Sequence, residues 1–454
     1  MISNNKYFWL IAIHVFLGIM VFALKFLSKV YFLFLLIFFL YNIIHSSKRT
    51  RVIQILIACS YVVGCEVFLR MTGGNFLYEV AKYLIIIFVF IGMIFDGINS
   101  RSFPYFIFLF LLFPAIFVTG ATATFDTNIR TAVMFNLSGP ICLTFVALYC
   151  FDKKINFKDL QNILLAALLP IISTAVYLYL YTPNIRDVVT GTYSNYQTSG
   201  GFGPNQVATI LGLGMFIMAS RYFIVSQTLI IKIVNLLILS IISYRGLVTF
   251  SRGGIYTALI IIIVFVTIYY SSSKRKGKQR IISSLSYFIG LVILIWIFSS
   301  RQTGGLIEKR YANQDAAGRE KEELATGRVK LISFELGEFM TNPFLGVGAG
   351  KIKELRFEKE GRAAASHNEI SRILGEHGMF GIIAFLIIFF VPLLYRMRNR
   401  KNIFFYSFYL FWFLTVNHSS MRIAAPAFIY GLSLLNISYE KPIVYRKQAR
   451  SQRL

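Results

Sequence analysis

Most of this chain is written in uninterrupted apolar runs about as long as a bilayer is thick. About fourteen can be counted, at roughly 7–24, 30–45, 52–69, 80–96, 103–120, 131–150, 160–181, 205–221, 223–243, 253–271, 282–299, 372–395, 403–418 and 422–438. A helix needs about 20 apolar residues to cross the hydrocarbon, and most of these runs supply them, those near His418 being the shortest. Stretches such as Tyr31 to Leu40 or Ile281 to Phe298 have no water-soluble arrangement. The runs are continuous rather than alternating, which argues against a transmembrane β-barrel. The expected fold is therefore an all-α polytopic membrane protein. The first run is followed directly by another and lacks a cleavage site, so it reads as a retained helix rather than a removable signal peptide. Cys59, Cys65, Cys142 and Cys150 lie inside apolar runs without a CxxC pair and read as packing residues.

A net charge of +26 invites a nucleic-acid partner, but the cations sit in short clusters between the apolar runs. That is the pattern of the positive-inside rule, and no nucleic acid is expected. With a cytoplasmic N-terminus, Lys48–Arg51, Lys153–Lys158, Lys274–Arg280, Arg396–Lys401 and the tail with Lys441, Arg446 and Lys447 all fall inside. Both termini are then cytoplasmic, with only the Lys25/Lys29 pair dissenting. The outside receives the loops 182–204, 244–252 and 300–371. The chain divides into eleven helices over 1–299, a long external loop over 300–371, three helices over 372–438 and a basic tail over 439–454.

That long loop holds ten of the twenty acidic residues, between Glu308 and Glu360. Arg245, Arg252, Arg301, Arg310 and Arg328 also lie on the face where cations are normally depleted, and a cation kept there usually has a partner. Arg301 and Arg310 have Glu308 close by and read as local salt bridges; Arg252 and Arg328 read as functional. Val329, Ile332, Leu336 and Phe339 have helical spacing, with Glu335 and Glu338 off the stripe, so an amphipathic helix on the outer membrane surface is expected, ended by Asn342-Pro343. Thr326-Gly327-Arg328 at its start suits a phosphate or pyrophosphate. Gly346-Val347-Gly348-Ala349-Gly350 reads only as a bend. Ser366 is expected to cap the next helix, beside His367, an imidazole placed to take a proton from a sugar hydroxyl. Glu369 could assist His367, although two residues is a poor spacing for contact within one helix. His377 and Glu376, deeper in the same run, read as buried packing. There is no HExxH for zinc and no DxD, so no metal or cofactor is expected.

Four segments together resemble the O-antigen ligase/polymerase superfamily of bacterial membrane glycosyltransferases. They are Gly201-Phe202-Gly203-Pro204-Asn205, Thr249-Phe250-Ser251-Arg252-Gly253-Gly254, Thr326-Gly327-Arg328 before Gly346-Val347-Gly348, and Ser366-His367-Asn368-Glu369 before Gly375-Glu376-His377-Gly378. The resemblance spans residues 195–385. It implies a metal-independent GT-C-like fold whose donor is a glycan on undecaprenyl pyrophosphate, at the outer face of the inner membrane. It implies Arg252 and Arg328 as pyrophosphate binders and His367 as the catalytic histidine. Arg245, Asn205, Asn368 and Glu369 are the expected substrate-binding residues around them.

Three functions are then open. A polymerase would transfer a lipid-linked glycan to a new lipid-linked repeat unit, for O-antigen, capsule or exopolysaccharide, and would fit a chain-length-regulating partner. A ligase would hand the same donor to lipid A–core. A flippase would line its bundle with ionisable groups and broken helices in matching halves, whereas here the polar groups concentrate in one late loop.

Overall fold

A computed structural model describes residues 3–122, 128–226, 228–321, 327–361, 364 and 366–439. Thr326 and the basic tail from Lys441 onward lie outside the described residues. Among those described, eleven helices are long and apolar enough to cross a membrane, so the chain is an all-α multi-pass membrane protein. The remaining apolar runs form shorter helices, Val80–Asp96, Phe405–His418 and Ala425–Ser433.

Three of the runs take a form that the sequence reading does not anticipate. The last run, 422–438, is a nine-residue helix followed by the strand Asn436–Ser438, which pairs in parallel with Lys154–Asn156. Hydropathy alone does not separate these two forms of buried backbone. The run 103–120 is one span-length segment, Ser100–Thr122, interrupted at Phe113 between Phe103–Leu112 and Pro114–Thr122, because Pro114 has no N–H for the preceding turn. The run 282–299 reaches back to Arg275, carrying its basic cluster in the first turns of the helix Arg275–Gln302.

Pro204–Ile224 and Phe157–Tyr181 are enclosed along most of their length and form the centre of the bundle with Lys48–Thr72. Peripheral helices keep large apolar side chains outward, as with Trp9, Phe16, Ile37, Tyr287 and Leu294. These surfaces suit lipid. All four cysteines are buried and free, consistent with packing.

The loops gather at two ends. At one, Lys153 reaches the backbone of Asp96 and Gly97, Arg51 covers the Phe95 ring, and Tyr395 donates to Asp152. At the other, the loops 182–204, 244–252 and 300–321 meet. Asn195 N donates to Thr249 O at 3.0 Å, Thr192 Oγ1 to Gln314 O at 2.8 Å and Arg186 to Arg301 O at 3.1 Å. The grouping is the one the charge pattern anticipates.

The helix Glu369–Arg398 is broken at Gly378, with φ 58° and ψ −137°. The break frees the carbonyls of Gly375 and Glu376, which accept from the N–H groups of Val347 and Gly348 at 3.0 Å each. The glycine run 346–350 is therefore the partner of a helix kink as well as a bend. A Cβ on Gly378 would meet the Gly346 nitrogen at 2.6 Å. Gly378→Ala is expected to cost about 1–3 kcal/mol through backbone strain and this clash, read as a lower unfolding temperature of the detergent-solubilised protein. An unchanged unfolding temperature would contradict the packing.

Candidate functional site

The Thr-Phe-Ser-Arg-Gly-Gly segment begins the helix Arg252–Ser271. Phe250 holds a left-handed φ of 57°, a conformation a bulky residue adopts only when its surroundings impose it. Its carbonyl accepts from Arg310 Nε at 2.9 Å. The two glycines serve close approach. A Cβ on Gly253 would strike the His418 ring at 2.4 Å, and one on Gly254 the Ala208 backbone at 2.4 Å. Pro204 opens the neighbouring helix, and Asn205 Oδ1 accepts from Ser251 Oγ at 2.7 Å. The first two motifs are thus one packed unit.

Against it stands the loop. Arg252 Nη1 donates to the Arg310 carbonyl at 3.3 Å, and Arg328 opens the helix Arg328–Thr341. Arg310 is buried; burial and the charges of Arg252 and Arg328 lower it to about 10. Burial, Arg252 and Arg422 likewise lower Arg328. Guanidiniums from distant parts of the chain therefore repel one another here, which is what a preformed anion site requires. Arg310, Arg328, Asn205 and His367 line one cleft of about 1080 Å³ with Tyr193 and Tyr196.

His367 is on its wall. Its Nδ1 is buried without a hydrogen-bond partner among the described residues. Burial first, then Arg422, Arg328, His418 and Arg356, hold its pKa down at about 4. At neutral pH the imidazole is therefore uncharged and able to accept a proton.

The residues beside it have other roles. Asn368, rather than Ser366, is the helix N-cap: its Oδ1 accepts from Ile370 N and Ser371 N at 2.9 and 3.1 Å, and its Nδ2 donates to Asn417 at 3.1 Å. Glu369 is buried and paired with Arg372, which also holds Glu376 at 2.8 Å. This triad faces a second cavity of about 700 Å³, on the other side of the 366–369 segment, shared with Asn128, Asn136 and Glu354. The pairing at three and four residues' spacing follows from the helix itself. His377 is buried within the helix, as expected.

Arg245 does not line the cleft. It is 1% exposed and donates to Leu178 O, Thr182 O and Thr198 O at 2.7, 3.2 and 3.2 Å. It closes the C-terminus of the helix Phe157–Tyr181 onto the following loop, a structural role rather than the expected substrate contact. Arg310, read from sequence as a local salt bridge, faces the arginine cluster instead; Glu308 accepts from Ser300 Oγ at 2.6 Å. Arg356, His418 and Arg422 belong to the surroundings of His367 and carry no local motif.

The expected amphipathic helix is present as Arg328–Thr341, ending at Asn342. Its acidic face turns inward, where Glu335 meets Arg356 at 3.0 Å and Glu338 meets Lys359 at 2.5 Å. Val329, Leu336, Met340 and, just beyond, Phe344 are exposed.

A family model described as O-Antigen ligase matches residues 236–386. That stretch contains Arg252, Arg310, Arg328 and His367, and leaves out Asn205 and Arg422. No curated protein matches the chain.

Proposed function

Because this chain is a member of the O-antigen ligase/polymerase superfamily, we propose that it polymerises undecaprenyl-pyrophosphate-linked oligosaccharide repeat units at the outer face of the bacterial inner membrane. The observation that carries this reading is the meeting of Arg310 and Arg328 on one cleft, with Arg252 against the Arg310 backbone beside it and an uncharged His367 on the cleft wall. The arginines bind the donor's pyrophosphate and stabilise the charge that grows on it as it leaves. The acceptor hydroxyl oxygen attacks the donor's anomeric carbon, and its proton passes to His367. The bond from that carbon to the phosphate oxygen breaks, and undecaprenyl pyrophosphate departs with the electron pair. One such displacement inverts the anomeric configuration.

The second cavity supports an acceptor glycan. Asn128, Asn136 and Glu354 offer hydrogen bonds to hydroxyls, and Phe135 and Phe357 offer faces for sugar rings. The exposed apolar face of Arg328–Thr341 beside the arginine cleft suits the membrane and the donor's polyprenyl chain. The basic clusters between the apolar runs support a periplasmic site with both termini cytoplasmic, and a chain-length regulator fits a polymerase.

The alternative is transfer to lipid A–core, since the same cleft serves a ligase. Deleting the gene and resolving the surface polysaccharide on a gel separates them. Polymerase loss is expected to leave core bearing a single repeat. Bare core, with long chains retained on the carrier lipid, would assign a ligase instead. An unchanged ladder would remove O-antigen assembly and direct the test to capsule or exopolysaccharide.

A further inference from the structure

Four residues outside the arginine cleft, Asn417, Ser420, Met421 and Arg422, hold the His367 segment from behind. The turn 419–424 joins the helices Phe405–His418 and Ala425–Ser433, and with the helix-end residue Asn417 it touches residues 366–369 at four points. Arg422 Nη2 donates to Ser366 O at 2.7 Å, Ser420 Oγ to the same carbonyl at 3.5 Å, Asn368 Nδ2 to Asn417 Oδ1 at 3.1 Å and Met421 N to Glu369 Oε2 at 3.4 Å. Within the turn Ser420 adopts a left-handed φ of 53°, which a serine keeps only when its neighbours impose it.

The turn is itself anchored from the helix Lys48–Thr72. Glu66 accepts from Ala424 N at 2.7 Å, and Arg70 donates to Arg422 O at 3.0 Å and to Gln206 at 2.8 Å. Glu66 and Arg70 pair at 2.6 Å, both buried. A buried ion pair is weak support for stability, since a packed apolar pair of similar volume often serves as well. Its bonds to two backbone groups of one turn, some 350 residues away in sequence, call for a different role.

We infer that Arg422 is a positioning residue for His367, and that the buried Glu66–Arg70 pair sets Arg422 by fixing the turn that carries it. The inference rests on the proposed transfer reaction. Ser366 is the residue before His367, so a turn that fixes the Ser366 carbonyl fixes where the imidazole lies. Arg422 acts on His367 in a second way, through its charge, together with Arg328, Arg356 and His418, which face the same imidazole.

The test uses the full-length protein in nanodiscs with lipid-linked repeat units extracted from the deletion strain. The double variant Glu66→Leu, Arg70→Met removes both charges of the pair together, and Lys82 remains on Glu79 at 2.6 Å. It is expected to keep the donor KM within about twofold while kcat falls between about tenfold and a hundredfold, the effect of a reacting group displaced by about 1 Å. Arg422→Gln is expected to move the acid limb of kcat/KM upward from about pH 4, because the largest charge holding down the His367 pKa is removed; Arg422→Lys should restore its position. A double variant that melts like the unaltered protein with unchanged kcat overturns the inference. If the double variant does not fold, an unmoved acid limb in Arg422→Gln overturns it. Failure of the unaltered protein to transfer any glycan takes down the proposed function as well, which separates the two outcomes.

Discussion

Arg328→Ala is expected to lower kcat/KM for the lipid-linked donor by about a hundred- to a thousandfold, the usual cost of removing one group that stabilises charge in a transition state. Arg252→Ala should fall in the same range. Both residues lie where the chain has already gathered cations, so each substitution also relieves repulsion among those that remain. Relief of that repulsion offsets contacts such as the Arg252 bond to the Arg310 carbonyl, so the loss is expected in turnover more than in folding. Arg328→Lys should recover only part of the rate, because an ammonium keeps the charge but not the forked geometry that matches two phosphate oxygens. The measurement is steady-state transfer in nanodiscs, with unfolding temperature as control. Turnover by Arg328→Ala within threefold of the unaltered protein would sink the assignment of this cleft to the pyrophosphate.

His367→Ala should cost between about a hundred- and ten-thousandfold, the range of a lost general base. Its pH dependence carries more information. The free protein holds this imidazole near 4, through burial and then the cations around it. In the proposed reaction the deprotonated form is the active one, so kcat/KM should stay level from pH 8 to about 5 and fall only as the pH approaches 4. Donor binding brings a dianion among those same cations. Their push on the proton is offset, the imidazole becomes more basic, and the acid limb of kcat should lie at higher pH than that of kcat/KM. Coincident limbs would mean that the diphosphate does not bind near His367.

The membrane class and most of the spans were legible because apolar runs of helix length have few other outcomes. Arg252 and Arg328 stood out as cations on the side that topology disfavours, and the structure brings both to the same cluster. Glu308, two residues away in sequence, suggests an ion pair that Arg310 does not make among the described residues. In the helix Leu306–Tyr311 those two side chains point in different directions, and Glu308 takes a serine hydroxyl instead. Glu369 was read toward His367, although its spacing to Arg372 and the further step to Glu376 already described an ion-paired helix face. Arg245 shared the topological signal of the functional arginines, but its partners are backbone carbonyls, which no composition reveals. Arg356 and Arg422 had no local signature, since what defines them is contact with residues far away in the chain. The inward turn of Glu335 and Glu338 was hidden for the same reason. A polar stripe does not say whether it faces water or the cations of a neighbouring helix.

The shortness of the hairpin formed by Phe405–His418 and Ala425–Ser433 has a consequence for where a reaction could take place. Fourteen helical residues rise about 21 Å, and nine rise about 13 Å, against a hydrocarbon layer of about 30 Å. The far end of the hairpin is tied by its strand Asn436–Ser438 to the basic end of the bundle. A hairpin that starts at the basic surface would therefore leave its turn, with Arg422 against Ser366, short of the opposite surface, and tilt would only lower it further. On the proposed reading, the guanidiniums and the imidazole would then lie in a recess near the membrane surface, where solvent screens charge poorly and each ionic contact acts more strongly than it would in open water. A phosphate head tethered to a long isoprenoid already floats at that depth. If the proposed donor is the substrate, it would reach the arginines by sideways diffusion, without its tail ever leaving the oil.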